Sequence, residues 1–142
     1  MIEIKENTLD LNTYLSLRAS VHWKLLTQEQ AKKALLNSLY TITAIRQGEP
    51  VGMGRIVGDG AVICYIQDFI VKSEYQGQGI GKQMMERLIQ YVEGLRMENS
   101  EMMLCLMCAK GREKFYEKFG FVGRPTNSLG PGMIQYLKSE QR

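Results

Sequence analysis

A glycine-rich segment, Gln76-Gly77-Gln78-Gly79-Ile80-Gly81, constrains the fold of this chain more than any other stretch of its sequence. It follows the apolar run from Ala61 to Val71 and leads into a stretch with apolar residues at helical spacing. Alternating glycines let the backbone turn tightly, and the first N–H groups of a helix have no partner within that helix. Together with the positive end of the helix dipole, these groups predict a site that binds phosphate.

Two common phosphate-binding motifs do not fit the spacing of these glycines. A P-loop, G-x-x-x-x-G-K-[ST], requires glycine where Gln76 stands and Ser or Thr where Gln83 stands. A dinucleotide fingerprint requires G-x-G-x-x-G, whereas the glycines here alternate as G-x-G-x-G. Lys72 and Lys82 flank the segment and are candidates to assist in binding a pyrophosphate.

The rest of the sequence predicts helices and strands in the order β-α-α-β-β-β-α-β-α-β. Between residues 40 and 71, three apolar runs are separated by the turn signals Gln47-Gly48-Glu49-Pro50 and Gly58-Asp59-Gly60, which predict an antiparallel meander. We expect the α/β class in its α+β form, with a mixed, mostly antiparallel central sheet and helices on both faces. Because the 142 residues contain no linker-like stretch, we expect one domain over residues 1–142.

The sequence also predicts where several helices and strands begin or end. Thr27 and the residues after it have the form of a capping box, which predicts the start of the second helix. The stripe after the glycine segment predicts a helix over residues 80–95, and a strand is expected from Met102 to Met107. A short helix that contains Tyr116 should end at Gly120, and the run from Met133 to Leu137 predicts a terminal strand.

Composition and charge exclude several classes of protein. The net charge is only +3, and the basic residues are mixed with acidic ones, unlike the charge pattern of a nucleic-acid binder. No apolar run reaches the ~20 residues that cross a bilayer, and the N-terminal residues show no export signal. Three cysteines, an odd number in apolar surroundings, indicate reduced thiols. We therefore expect a cytoplasmic protein without nucleic-acid or membrane partners.

Three segments, taken together and in this order, resemble the GNAT superfamily of N-acetyltransferases, most closely its small bacterial members. Gln76, Gly79 and Gly81 match the pattern Q/R-x-x-G-x-G/A of that family. The strand Tyr65-Ile66-Gln67-Asp68-Phe69-Ile70-Val71 precedes this pattern, and Lys114-Phe115-Tyr116-Glu117-Lys118-Phe119-Gly120-Phe121 looks like the F-Y-x-K-x-G-F segment of the family. The resemblance implies the GNAT acyl-CoA N-acyltransferase fold, acetyl-CoA as cosubstrate, and direct transfer of its acetyl group to a primary amine of a small molecule.

The resemblance also implies roles for particular residues. The backbone of Phe69, Ile70 and Val71 is expected to pair with the pantetheine arm like an added strand. Tyr116 is expected beside the coenzyme sulfur, where a phenol with a pKa of ~10 would protonate the departing thiolate. Many family members carry Asn about where Ala109 stands here, so one coenzyme hydrogen bond of the family is not expected. The residues expected to hold the pyrophosphate are Gln76, Gly77, Gln78, Gly79, Ile80, Gly81 and Lys82.

Other residues have both a functional and a structural interpretation. Tyr116 could instead be a core aromatic residue beside its phenylalanine neighbours. Asp68 is either a general base for the amine or a structural carboxylate hydrogen-bonded to neighbouring backbone. His22 is a second candidate base because it can titrate near neutral pH. Residues that could line the acceptor pocket, or equally be ordinary aromatic and surface residues, are Trp23, Lys24, Tyr40 and Arg55.

A metal site and a redox role are not expected. Cys105 and Cys108 have the spacing of a C-x-x-C motif, but a second cysteine pair and a nearby histidine are missing from the sequence. Two rival functions remain open beside a small-molecule acetyltransferase. One is a non-catalytic module that binds acetyl-CoA and has a sensing or regulatory role. The other is an acetyltransferase that modifies proteins or peptides. The expected partner is a small-molecule amine, with a second copy of the chain as a further candidate.

Overall fold

The order of helices and strands in the computed structural model follows the sequence prediction up to the last predicted strand. The structure describes residues 1–139, which fall into two compact units, residues 1–107 and residues 108 onward. The elements are β1 (Ile2–Glu6), α1 (Leu11–Ser20), α2 (Gln28–Leu36), β2 (Tyr40–Arg46), β3 (Glu49–Gly58), β4 (Ile63–Val71), α3 (Ile80–Leu95), β5 (Met103–Leu106) and α4 (Glu113–Glu117).

The first unit is built on a five-stranded sheet with the strand order β1-β2-β3-β4-β5. Neighbouring strands from β1 to β4 are antiparallel, and β4 pairs with β5 in parallel. The sheet is therefore mixed and mostly antiparallel, as predicted. The parallel pair is possible because α3 connects β4 to β5 and reverses the direction of the chain.

Helices cover both faces of this sheet, and alternate residues of β3 contact different helices. A Cβ atom on Gly52 would lie 2.8 Å from Sδ of Met84, and one on Gly54 would lie 3.1 Å from Cδ1 of Leu88, so these glycines let α3 approach one face. Met53 points the other way into a buried cluster that includes Tyr14 and Leu17 of α1. The predicted arrangement of helices on both faces is confirmed.

Turn geometry explains the starts of two strands, β3 and β4, that differ from the prediction. The turn between β2 and β3 consists only of Gln47 and Gly48, whose φ angles of 51° and 80° are typical of a two-residue hairpin. Glu49 and Pro50, predicted in the turn, therefore belong to β3. Oδ1 of Asp59 accepts hydrogen bonds from the N–H groups of residues 61, 62 and 63, which delays the start of β4 to Ile63.

The second unit contains α4 but lacks the predicted terminal strand within its described residues. The helix ends at Glu117, earlier than predicted, and a turn over residues 118–120 follows it. Gly120 adopts the predicted left-handed conformation, with φ of 91°, and the N–H of Phe121 reaches the carbonyl of Tyr116. The expected strand from Met133 to Leu137 is wrong, because this segment is irregular through residue 139. Its side chains are largely exposed, 88% for Met133 and 86% for Leu137, so its apolar run fills no core.

The expectation of one domain over residues 1–142 stays a prediction. Among residues 1–139, no helix has both the length and the apolar character needed to cross a membrane.

Candidate functional site

The glycine segment forms a tight loop at the N-terminus of α3. Gly77 and Gly79 have φ angles of 80° and 85°, which residues with a Cβ atom rarely adopt. Gly79 is the N-cap and offers no side chain to the helix, whose first backbone bond runs from Gln83 to the Gly79 carbonyl. By helix geometry, the N–H groups of residues 80–82 have no partner within α3. The loop therefore presents the predicted donors at the positive end of a 16-residue helix.

An extended strand edge leads into this loop. The ladder between β4 and β5 ends where Ile66 lies opposite Leu106, whereas β4 continues to Val71. Beside residues 67–71, the described sheet has no further strand on that side. The side chain of Gln76 donates to the carbonyl of Val71 at 2.9 Å and ties the loop to the end of the strand. The residues predicted to bind the pantetheine arm and the pyrophosphate are therefore contiguous.

A bulge lies in β4 just before the predicted pantetheine residues. Arg55 pairs with Gln67, but the next pair is shifted, so Gly54 alone stands opposite both Asp68 and Phe69. Asp68 has a φ of 57°, in the left-handed region that Asp adopts more readily than most residues. The bulge presents the Asp68 carboxylate to α1.

The Asp68 carboxylate is the centre of a buried network of hydrogen bonds and ion pairs. Its side chain is 0% exposed. Tyr14 donates to Oδ2 at 2.6 Å, Arg55 donates to the same oxygen at 2.9 Å, and Arg18 donates to Oδ1 at 2.6 Å. The amide of Gln67 lies 3.4 Å from Oδ1. Both oxygens are thus occupied, and two of the donors are guanidinium groups.

These contacts favour the structural interpretation of Asp68 over a general base. A base must reach the proton of its substrate, whereas both oxygens of this buried carboxylate already accept hydrogen bonds. Its partners are side chains on α1 and β3 in place of the neighbouring backbone that the structural interpretation assumed. Burial, followed by the hydrogen bond to Asp68, raises the pKa of Tyr14 to about 12, so its phenol remains a neutral donor.

Arg18 connects this network to the loop between α1 and α2. Its Nη2 donates to the carbonyl of Lys24 at 2.9 Å, and its guanidinium lies 5.4 Å from the ring centroid of Trp23. His22 is exposed at the end of α1, with φ of 60°, and its N–H reaches the carbonyl of Ala19. Trp23 and Lys24, two of the residues predicted to line the acceptor pocket, therefore lie beside the Arg18 guanidinium, which is bound to Asp68.

The other two predicted acceptor residues are buried in the sheet. Arg55 is 7% exposed, and its Nη1 donates to the Ala34 carbonyl and to the Ser38 hydroxyl in addition to the bond with Asp68. Tyr40 is 2% exposed and stacks on Tyr91 of α3 at 4.0 Å. These contacts make Arg55 part of the buried hydrogen-bond network and give Tyr40 a packing role.

Tyr14 and Arg18 were not among the predicted site residues. They stand one helical turn apart and therefore share a face of α1. The sequence did contain a signal for Arg18, because an arginine on the apolar face of a helix requires a buried partner. The position of that partner in β4 followed only from the fold.

Tyr116 lies in the second unit, within a small aromatic cluster. Its ring centroid is 5.1 Å from that of Phe115 and 6.2 Å from that of Phe121, both in edge-on geometry. Burial, and then the Cys108 thiol, raise the pKa of Tyr116, and Arg112 offsets only part of this. The phenol is therefore protonated at neutral pH, as an acid for a thiolate must be. The proposed role of Tyr116 in catalysis stays a prediction.

The three cysteines are free thiols with different exposure. Cys64 is buried, Cys105 is half-buried and Cys108 is exposed. Burial raises the pKa of each thiol, which disfavours the thiolate that metal binding or redox chemistry requires. Within residues 1–139, no cluster of three or more His, Cys, Asp or Glu side chains is arranged to hold a metal ion.

The double variant Cys105→Ser/Cys108→Ser should therefore remain folded, and after treatment with a chelator it should match wild type in releasing thiol from acetyl-CoA, the cosubstrate that the resemblance implies. Serine preserves the size of each side chain but removes the sulfur that could bind metal or form a disulfide. Circular dichroism and the transfer assay, each with and without chelator, provide the measurement. Loss of activity that zinc or an oxidant restores would contradict this expectation.

Comparisons with known proteins agree with the observed fold. A family model described as the acetyltransferase (GNAT) domain matches residues 37–123. The chain is similar to a solved protein of unknown function from meticillin-resistant Staphylococcus aureus, described as a probable acetyltransferase. The two are 33% identical with a TM-score of 0.83, over 96% of this chain and 100% of that one.

Two relatives known from sequence extend this comparison. An uncharacterized ycf52-like N-acetyltransferase of Prochlorococcus marinus is 30% identical over 126 residues, which cover 85% of this chain and 67% of the relative. The chloroplastic serotonin N-acetyltransferase 2 of Oryza sativa subsp. japonica is 28% identical over 138 residues, which cover 94% of this chain and 66% of the relative. The resemblance and the fold class predicted from the sequence are confirmed.

Proposed function

Because this chain belongs to the GNAT family of acetyltransferases, we propose that it transfers the acetyl group of acetyl-CoA to a primary amine of a small molecule. The observation that carries this proposal is the continuous path from the edge of β4, through the glycine loop, to the N-terminus of α3. An extended backbone edge suits the amide groups of pantetheine, and the helix N-terminus suits a pyrophosphate. The coenzyme contains these two groups in the same order.

The proposed reaction is direct transfer without a covalent acyl-enzyme. The neutral amine attacks the thioester carbonyl, so that a C–N bond forms and the C–S bond breaks. Backbone N–H groups of residues 68–71 are proposed to stabilise the oxyanion. Tyr116 gives its proton to the departing thiolate and regains one from solvent, while the amine releases its own proton to water or to a base. Of the two predicted candidates for that base, Asp68 is buried and His22 is exposed.

The acceptor amine is proposed to bind near the α1–α2 loop. Trp23 is 38% exposed there, and the guanidinium of Arg18 stacks against its ring. The rice relative is named a serotonin N-acetyltransferase, and serotonin is a small primary amine. Its name supports an amine acceptor of that size for this chain.

The proposal is tested by measuring thiol release from acetyl-CoA with a panel of small amines, polyamines, antibiotics and peptides. A small primary amine should be turned over and its N-acetyl product detected by mass spectrometry. Binding of acetyl-CoA without transfer to any acceptor would favour a non-catalytic module. Turnover confined to peptides or proteins would replace the small-molecule acceptor with a protein one.

Gly81→Val is expected to weaken the binding of acetyl-CoA at least about tenfold while the domain remains folded. Gly81 lies in the first turn of α3, where a branched side chain would stand between the helix N–H groups and a phosphate. Gly94→Val is the matched control, because Gly94 is exposed near the other end of α3 and a Cβ there meets nothing within 4 Å. Isothermal titration calorimetry measures both affinities. Equal affinities for the two folded variants would count against the proposed pyrophosphate site.

A further inference from the structure

An arginine outside the predicted motif lies beside the glycine loop. Arg46 is the last residue of β2, directly before the two-residue turn of Gln47 and Gly48. Its Nη1 donates to Oε1 of Gln78 at 2.5 Å, and its guanidinium lies 5.9 Å from the ring centroid of Tyr75. A short hairpin, a side-chain hydrogen bond and an aromatic ring thus hold this cation against the loop.

The cations around this loop differ in whether a carboxylate neutralises them. Lys72 contacts Glu49 at 2.9 Å, and Lys82 lies 4.0 Å from Glu86. Glu49 faces Arg46 across the hairpin, but its two oxygens accept hydrogen bonds from Lys72 and Tyr75. The hydrogen bond from Lys72, together with the positive charge of that residue, lowers the pKa of Glu49, so this pair stays ionised.

Arg46, by contrast, has no ion-pair partner in the described part of the chain. Within residues 1–139, no carboxylate oxygen lies within 4.0 Å of its guanidinium. The group formed by Arg46, Lys72 and Glu49 therefore keeps one net positive charge. A guanidinium has five N–H donors in a fixed fork, and the bond to Gln78 uses one of them. The remaining donors suit a phosphate oxygen pair.

We propose that Arg46 binds a phosphate group of the coenzyme and thereby adds a side-chain contact to the backbone donors of the loop. Gln78 stands between the two left-handed glycines of the loop, so its bond to Arg46 places the guanidinium next to those donors. The inference rests on the proposed function, because it takes the ligand of the loop to be acetyl-CoA. Its pyrophosphate and its 3′-phosphate offer the same chemistry to the guanidinium.

The test compares the affinities of Arg46→Gln and wild type for acetyl-CoA and for acetyl-3′-dephospho-CoA by calorimetry. Arg46→Gln should weaken acetyl-CoA binding about tenfold, the effect of losing one charged hydrogen-bonding contact. If Arg46 contacts the pyrophosphate, the loss persists with the dephospho ligand. If it contacts the 3′-phosphate, the variant and wild type bind the dephospho ligand equally. Arg46→Lys, which keeps the charge but not the fork, should fall between them.

Arg96→Gln is the control for net charge. Arg96 follows the other end of α3, about 24 Å along the helix from the loop, and its partner there is Glu93. This variant should bind both ligands like wild type. Failure of wild type to bind acetyl-CoA would overturn the proposed function and, with it, the inference. If wild type binds acetyl-CoA and folded Arg46→Gln binds it with the same affinity, the role of Arg46 is overturned and the proposed function is not affected.

Discussion

Asp68→Asn is expected to lower the free energy of unfolding by about 3–5 kcal/mol, the cost of removing one partner from a buried ion pair. The substitution leaves the guanidinium groups of Arg18 and Arg55, whose side chains are 12% and 8% exposed, without a carboxylate. Asparagine has nearly the same size and also tolerates the left-handed φ of 57° at this position. The loss should therefore come from charge and hydrogen bonding, with little contribution from the backbone.

Urea denaturation monitored by circular dichroism measures this effect. Tyr14→Phe is a matched comparison, because it removes one neutral donor to the same carboxylate but leaves both ion pairs, and should cost less, about 1.5–3 kcal/mol. The two interpretations of Asp68 differ in their outcomes. A structural carboxylate predicts a large loss of stability, with the remaining folded protein still active. Unchanged stability together with abolished transfer would instead identify Asp68 as the general base.

The loss of stability expected for Asp68→Asn should also affect the predicted coenzyme site. Asp68 is the bulged residue of β4, and the residues expected to pair with pantetheine follow it directly. The network joins this bulge to α1 through Arg18 and to β3 through Arg55. A weakened network should therefore loosen the strand edge, and partial loss of acetyl-CoA affinity in Asp68→Asn would be consistent with a positioning role.

Elements with local causes could be predicted from the sequence. The apolar stripe after the glycine segment predicted α3 with both of its ends, because helix periodicity and the tight turn both act within a few residues. The three central strands were predicted because turn residues and strand patterning alternate regularly. The run from Met133 to Leu137 carried a similar apolar pattern, but a strand also needs a neighbouring strand, which a pattern cannot supply.

The candidate site was only partly predictable for the same reason. Its glycine loop depends on residues that are adjacent in the sequence, so its position could be predicted. The partners of Asp68 come from positions 54 and 50 residues earlier in the chain, and Gln78 meets Arg46 across 32 residues. Such contacts depend on which elements pack together. The sequence therefore left Asp68 open between a general base and a structural carboxylate, and it did not identify Arg46.

Tyr116→Phe should lower turnover roughly 10²-fold or more, the usual effect of removing a positioned acid. Phenylalanine keeps the ring and its edge-on contacts with Phe115 and Phe121, so the fold and the affinity for acetyl-CoA should change little. Because burial raises the pKa of Tyr116, the phenol carries its proton throughout the neutral range. Deprotonation of Tyr116 should therefore not lower the turnover rate of wild type between pH 6 and 8, and a pH profile of turnover checks this.

The identity of the group that Tyr116 protonates can be tested through the leaving thiol. A more acidic thiol departs as its thiolate without help, so the defect of Tyr116→Phe should shrink with an acetyl thioester whose thiol has a lower pKa. A general loss of packing would lower the rates with both thioesters by the same factor, which separates the two explanations. If Tyr116→Phe turns over a productive amine at nearly the wild-type rate, the residue is not the acid. Its aromatic contacts would then be sufficient reason for a tyrosine at this position, and protonation of the thiolate would fall to solvent or to another group.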